Sequence, residues 1–131
     1  MKFVDTGAWY AAYIRSDPAH ELVAPLVDGS NELLVTSDFV LAEALNLLQA
    51  RGESRRAQIL GQRLLEGSAI NLIHVTAADL EKAFVFFSAK PDRPWSFTDC
   101  TSLAVMQRMG IKTAISLDHH FCQMPGIQVE P

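Results

Sequence analysis

Short apolar runs alternate along this chain with longer stretches whose apolar residues recur every three or four positions, the pattern of strands alternating with helices. Phe3-Val4 is the first run, stopped by Asp5-Thr6-Gly7. Ala8 to Ile14 follows with Trp9, Ala12 and Tyr13 at helical spacing. Asp17-Pro18 predicts the opening of a second helix, because proline is tolerated in a first turn, and Pro25 is expected to bend or shorten it before Asp28-Gly29-Ser30. Leu33-Leu34-Val35 suits a buried strand, and Ser37-Asp38 signals the start of a helix over Phe39 to Ala50 that Arg51-Gly52 closes.

Glu53 to Glu66 sets Arg55, Arg56 and Arg63 against Ile59, Leu60, Leu64 and Leu65, an amphipathic helix ended by Gly67. Ile70 to Val75 is a third strand. Thr76-Ala77-Ala78-Asp79 has the form of a capping box ahead of a helix through Ala89, with Asp where Glu is more usual. Lys90 to Trp95 holds two prolines and is expected to be a loop. Thr98 to Met109 predicts a helix closed by Gly110, Thr113 to Ser116 a fourth strand, and Ile127 to Glu130 a fifth at the edge. Strands alternating with helices predict an α/β fold, its mainly parallel sheet of four or five strands covered on both faces.

The length of 131 residues, 49% of them hydrophobic and 20% charged, fits one domain over 1–131 that folds on hydrophobic burial without disulfides or a structural metal. Cys100 and Cys122 lie in apolar settings outside any CxxC or Cys/His spacing, so both are expected to be small core residues in a reducing compartment. Met1-Lys2-Phe3-Val4-Asp5 reaches an acid too early for a secretory signal or a membrane span, so a cytoplasmic protein is expected.

In an open parallel sheet, ligands bind beyond the carboxyl ends of the strands, where the strand order reverses. Asp5 ends the first strand and Asp118 follows the fourth after Ser116-Leu117. Glu43 and Asn46 are the polar members of the run Phe39 to Leu48, three residues apart on one helix face, with no Lys or Arg within four positions of Glu43. Burying that carboxylate as an ion would need a distant cation, and the alternative is an exposed polar stripe of no function. Asp99 falls in a first helical turn, where the helix dipole alone is one sufficient reason for an acid.

Four carboxylates brought to one sheet edge would repel strongly; two unit charges about 5 Å apart at an effective dielectric near 20 repel by roughly 3 kcal/mol. Either protons are retained or a cation binds, and an oxygen-only donor set without a Cys/His framework favours Mg2+ or Mn2+. The net charge of -4 on its own disfavours a polyanionic partner, yet setting aside these four acids leaves eleven acids against eleven bases. Arg51, Arg55, Arg56 and Arg63 against Glu53, and Lys90 with Arg93, offer cations that could follow phosphates, although a solvated helix face and an ordinary polar loop are the expected reading of each.

At these residues the sequence resembles the PIN domain family, and within it the VapC-type toxins of prokaryotic toxin-antitoxin pairs. The landmarks are Val4-Asp5-Thr6-Gly7-Ala8-Trp9, Glu43-Ala44-Leu45-Asn46, Trp95-Ser96-Phe97-Thr98-Asp99-Cys100-Thr101-Ser102 and Ser116-Leu117-Asp118-His119-His120-Phe121. The resemblance implies a Rossmann-like three-layer α/β/α sandwich and a metal-dependent endoribonuclease. It places the acidic site on Asp5, Glu43, Asp99 and Asp118, with Thr6, Asn46 and Thr98 as supporting hydrogen-bond groups. It also implies an RNA substrate, a cognate antitoxin and a homodimer.

Many PIN domains carry another acid two residues after the last one, where this chain has His120, so a fifth ligand there is not expected. His119 and His120 could contact phosphate or carry protons, but surface or helix-start histidines are the expectation. Trp9, Tyr13, Trp95 and Phe97 could stack on bases, and Trp9, Tyr10 and Tyr13 could line a groove for a partner segment, though packing is the commoner use of such residues. The competing reading is a PIN-like module that binds RNA or protein without cutting. A phosphoaspartyl phosphatase would need Asp-x-Asp where Asp5-Thr6-Gly7 stands, and a receiver domain would need an Asp after the third strand, where Ile73-His74-Val75 supplies none.

Overall fold

The computed structural model describes residues 1–67, 69–89, 92 and 95–131. Lys90 and Arg93, and most of the proline-containing loop, lie outside the described residues. The elements in chain order are β1 (Lys2–Val4), α1 (Thr6–Tyr13), α2 (His20–Asp28), β2 (Leu34–Ser37), α3 (Asp38–Ala50), α4 (Ser54–Glu66), β3 (Ile70–Ile73), α5 (Ala77–Ala89), α6 (Phe97–Met109), β4 (Thr113–Ile115), a 3-10 turn (His119–Gln123) and β5 (Gln128–Glu130).

The five strands form one sheet in the order β3-β2-β1-β4-β5, and every pairing is parallel. The helices cover it as a three-layer α/β/α sandwich, as the alternation of short and long apolar patterns predicts. Phe3, Val4, Val35, Ala114 and Ile115 are fully buried at its centre, with Trp9, Leu48, Leu60, Leu64, Leu103 and Met106 packed from the helices. Truncating a side chain as enclosed as Leu48 to Ala would cost about 2–5 kcal/mol, from lost transfer energy and the cavity left behind.

Trp9 is wholly buried, and its indole N–H donates to Thr36 Oγ1 at 3.2 Å while that hydroxyl donates to Val4 O at 2.9 Å. This chain fixes α1 over β1 and β2, so Trp9 stacks on no base. Tyr13 meets its ring edge-on at 6.4 Å, and the face shared by Trp9, Tyr10 and Tyr13 is mostly packing rather than an open groove.

Two boundaries differ from the sequence expectation because a side chain captures backbone that would otherwise continue an element. Asp17 Oδ1 accepts from Ala19 N at 2.9 Å and its carbonyl from His20 N at 3.0 Å, a turn that delays α2 to His20. Pro25 then sits inside α2 without ending it. β3 stops at Ile73 rather than Val75, because Val75 N donates to Asp38 Oδ1 at 3.0 Å and leaves the ladder, whose last pair is Ser37 with Ile73. Ser37 caps α3, its hydroxyl accepting from Val40 N at 3.1 Å.

Cys100 is buried as expected, but Cys122 is exposed, since its neighbour Phe121 turns inward from the short 3-10 turn. Among the described residues no helix is long and apolar enough to cross a membrane.

Candidate active site

The strand order reverses between β1 and β4, and the residues just past these two strands meet there. Asp5 follows Val4 directly and occupies the N-cap position of α1, but its side chain makes no cap hydrogen bond. Instead Oδ2 accepts from the Ser116 hydroxyl at 3.0 Å, across the β1–β4 junction. The same Ser116 Oγ accepts from Asp118 N at 3.1 Å, so one buried serine ties both strand ends together. Asp118 caps the 3-10 turn, with Oδ1 accepting from His120 N at 2.9 Å and lying 3.0 Å from His120 Nδ1.

Asp99 reaches the site from the start of α6. Ser96 Oγ accepts from Asp99 N at 3.0 Å and Asp99 Oδ2 accepts from Ser96 N at 3.0 Å, a reciprocal capping box. The helix dipole is therefore supplemented by a specific lock that holds one carboxylate oxygen. Trp95, just before the box, donates from its indole to His120 O at 3.2 Å and joins the α6 entrance to the 3-10 turn. It too is nearly enclosed, and Phe97 packs edge-on against Phe87 at 5.7 Å, so neither offers an open stacking face.

Asp5 and Asp99 are 6% and 8% exposed, and burial drives the carboxyls of both upward. For Asp5 the value reaches about 7: burial is the largest cause, the Asp99 charge adds to it, the Thr6 backbone N–H and Ser116 hydroxyl oppose it, and Glu43 adds a further push. For Asp99, burial is opposed by Ser96, while the charges of Asp118 and Glu43 reinforce it. The four carboxylates thus act on one another electrostatically through Asp5 and Asp99. No Lys or Arg pairs with any of them among the described residues.

Glu43 is exposed on α3, not embedded in apolar surface, so it requires no buried countercharge. The apolar neighbours that suggested burial, Ala44 and Leu48, turn to the opposite side of the helix, into the core. With Asp38, Phe39, Ala42, Asn46 and Thr98, Glu43 lines an open cleft of about 530 Å³ beside the acidic pair. Asn46 is exposed there and Thr98 half-buried. Thr6 is 6% exposed and its hydroxyl has no hydrogen-bond partner among the described residues.

Two features lay beyond the sequence reasoning. Ser116 enters the sequence reading only within the motif around Asp118, although a Ser two residues before an acid at a strand end is the signal that marks it. The second is histidine: Asp118, His119 and His120 place one ligand-capable atom each within 4.8 Å of one another, with the two imidazoles 4.3 Å apart. This is the set of three His, Cys, Asp or Glu groups so closely gathered among the described residues, and it includes only one of the four expected acids.

The sequence matches the PIN domain family over residues 2–127. It is 32% identical over 131 residues to the 23S rRNA-specific endonuclease VapC20 of Mycobacterium tuberculosis, covering 100% of this chain and 99% of that one. It is 30% identical over 125 residues to the ribonuclease VapC26 of the same organism, covering 95% and 92% of the two chains. The crystal structure of M. tuberculosis VapC20, described as a sarcin-ricin loop cleaving toxin, superposes with a TM-score of 0.91 at 31% identity over the whole of both chains.

Proposed function

The chain belongs to the PIN domain family, and from that premise we propose that it is a divalent-metal-dependent endoribonuclease, the toxin of a toxin-antitoxin pair, acting in the cytoplasm as a single domain. One observation carries the reading: Asp5 and Asp99 are buried acids at the reversal point of the sheet, pushed up by burial and by each other's neighbours, with no basic side chain to relieve them among the described residues. With both carboxylates ionised, such an arrangement is costly without a cation to hold them together.

The donor chemistry fits a hard divalent ion: Asp5, Asp99, Asp118 and Glu43 would hold Mg2+ or Mn2+ through carboxylate oxygens. When bound, the metal supplies Lewis-acid stabilisation of the phosphate and a lowered pKa for water at the site. Asp5, raised to about 7 first by burial, would hold a cation in its ionised form, so its hold should strengthen as pH rises through that value. Ser116 holds Asp5 Oδ2, Ser96 holds Asp99 Oδ2 and His120 holds Asp118 Oδ1, so each positioning residue leaves its carboxylate another oxygen. The Thr6 hydroxyl, without a partner among the described residues, is available to a water or phosphate oxygen. Asn46 and Thr98 flank Glu43 in the cleft, where they can hydrogen-bond the strand being cut. No protein side chain acts as a covalent nucleophile in this scheme.

VapC20 is named for 23S rRNA, so structured ribosomal RNA is the first substrate class to test for this chain. A cognate antitoxin and a homodimer complete the proposal. The deciding experiment incubates the purified protein with ribosomal RNA in Mn2+ or Mg2+, with and without chelator. Discrete products that vanish with chelator are expected. Metal binding by calorimetry without products on diverse RNAs would instead leave a non-cutting binding module.

A further inference from the structure

The basic segment of the sequence has a destination in the fold. Arg56 and Arg63 are seven residues apart, two turns of α4, and so share one face. That face meets the carboxyl end of α1 and the adjoining α2 to form a cleft of about 290 Å³, lined by Tyr13, Arg15, His20, Asp28, Arg56 and Arg63 among others. Arg63 Nη1 donates at 2.8 Å to Tyr13 Oη and at 2.8 Å to Asp28 Oδ1, which fixes this guanidinium in place. His20 Nδ1 lies 2.8 Å from the Ala11 carbonyl, which can only accept, so its proton is on Nδ1 and Nε2 is left over.

Arg15 and Arg56 make no ion pair or hydrogen bond among the described residues, and both are exposed. Three arginines against Asp28 leave this cleft with two net positive charges, on a protein whose overall charge is -4. A polar, cationic hollow with a preset guanidinium and two free ones matches an oxyanion whose oxygens accept forked N–H donors. It repels metal ions and offers little apolar wall to a hydrophobic segment.

We propose that this cleft binds a backbone phosphodiester of the RNA substrate, away from the scissile bond. The inference rests on the ribonuclease reading and adds a second anchoring point to it. α1 connects the two: it begins beside Asp5 and ends at Tyr13, eight residues or about 12 Å of helix. No residue of α1 is exposed, so a strand reaches the cleft over the surface flanking that helix, by a path longer than the helix itself and several nucleotides from the cleavage point. Arg15 and Arg56 clasp the phosphate, while Arg63, held by Tyr13 and Asp28, shapes the floor.

The test compares wild type, Arg15→Gln/Arg56→Gln and Arg15→Lys/Arg56→Lys, each checked for native circular dichroism. Binding to a long fluorescent single-stranded RNA is followed in chelator across a KCl series, and cleavage of that RNA and of a trinucleotide is followed with Mn2+. Loss of this one phosphate contact should make the slope of log K against log salt shallower by about 0.7 and weaken binding about 5-fold near 0.1 M salt. The Lys variant should keep the wild-type slope. The Gln variant should show a raised KM with unchanged kcat on long RNA and unaltered trinucleotide cleavage, and single substitutions repeat the test if the pair does not fold. A wild-type slope and KM in the Gln variant overturn the site while leaving the nuclease reading intact. A variant that loses only salt-dependent binding to polyglutamate assigns the cleft to an acidic protein and likewise overturns it. Absence of cleavage by wild type is the separate result that removes the ribonuclease reading and this anchor with it.

Discussion

Thr76-x-x-Asp79 and Ser96-x-x-Asp99 are the same local device used for opposite ends. In each, the hydroxyl accepts from the aspartate N–H, at 3.1 and 3.0 Å, and the aspartate accepts from the hydroxyl residue's N–H at 3.0 Å. The difference lies in what each carboxylate meets next. Arg108, in the last turn of α6, forks onto Asp79 with contacts of 2.9, 3.2 and 2.8 Å, which holds that carboxyl below its usual range. Asp99, at the other end of the same helix, is held above its usual range first by burial, to which the charges of Asp118 and Glu43 add. A capping box therefore specifies a helix start, and the tertiary surroundings decide whether its acid is spent on structure or left reactive.

The sharpest way to break this comparison is to neutralise each acid in turn. Asp99→Asn, and equally Asp5→Asn, should lower metal-dependent RNA cleavage at least about a hundredfold, the scale of losing one preorganised group at the point of charge development, with native circular dichroism. Asp79→Asn should leave cleavage near wild type and lower stability instead. Full metal-dependent cleavage by the Asp5 and Asp99 variants would defeat the proposed mechanism.

The two acids should also answer pH in opposite senses. Unfolded, Asp5 ionises near 3.8, but folded and metal-free it keeps its proton until about 7. Between these values the unfolded chain binds fewer protons, so stability falls as pH rises through the window, by at most about 4 kcal/mol from this group. Asp79 is depressed, so its contribution is present above the unfolded value and is lost only as pH falls through the lower folded one. Urea titrations in chelator should show wild type losing stability from pH 5 to 8 and Asp5→Asn losing markedly less. Parallel curves for the two proteins would show that Asp5 carries no such strain.

Much of this contrast was legible in the sequence. The Thr76 box is read as a spacing and Asp99 as an acid in a first turn, though its Ser96 partner is not, and Asp5 and Asp118 stand at strand ends because apolar runs stop immediately or shortly before them. What the pattern could not supply was distance across the fold. Arg108 lies 29 residues from Asp79, and nothing in the local pattern near either residue pairs them. The exposure of Glu43 depends on which side of α3 meets the core, and the ends of β3 and α2 depend on captures by Asp38 and Asp17. His119 and His120 gather at Asp118 because a 3-10 turn, unpredicted from their spacing, folds both imidazoles onto one side.

Arg108→Met comes next in size. It removes the fork from a carboxylate whose side chain is only 4% exposed, but the arginine is itself 41% exposed, so water screens part of the loss. About 1–3 kcal/mol of stability should be lost, seen as a lower urea midpoint with an unchanged slope, and most should return in Arg108→Met/Asp79→Asn, where no unpaired charge remains. No recovery in the double variant would mean that the arginine stem, rather than the charge, holds α5 to α6.

The smallest expected effect concerns Ser116, the buried hydroxyl shared by Asp5 and Asp118. Ser116→Ala removes the donor to Asp5 Oδ2 and the acceptor for Asp118 N while leaving the metal-binding oxygens in place. Because it positions ligands rather than supplying one, its loss should weaken Mn2+ affinity about tenfold by calorimetry and lower cleavage at limiting metal, with activity recovering as metal is raised. That recovery separates it from Asp99→Asn, which added metal should not rescue. If Ser116→Ala is equally beyond rescue, the serine does more than hold two strand ends in register, and the division between positioning and metal-holding residues drawn across this site is misplaced.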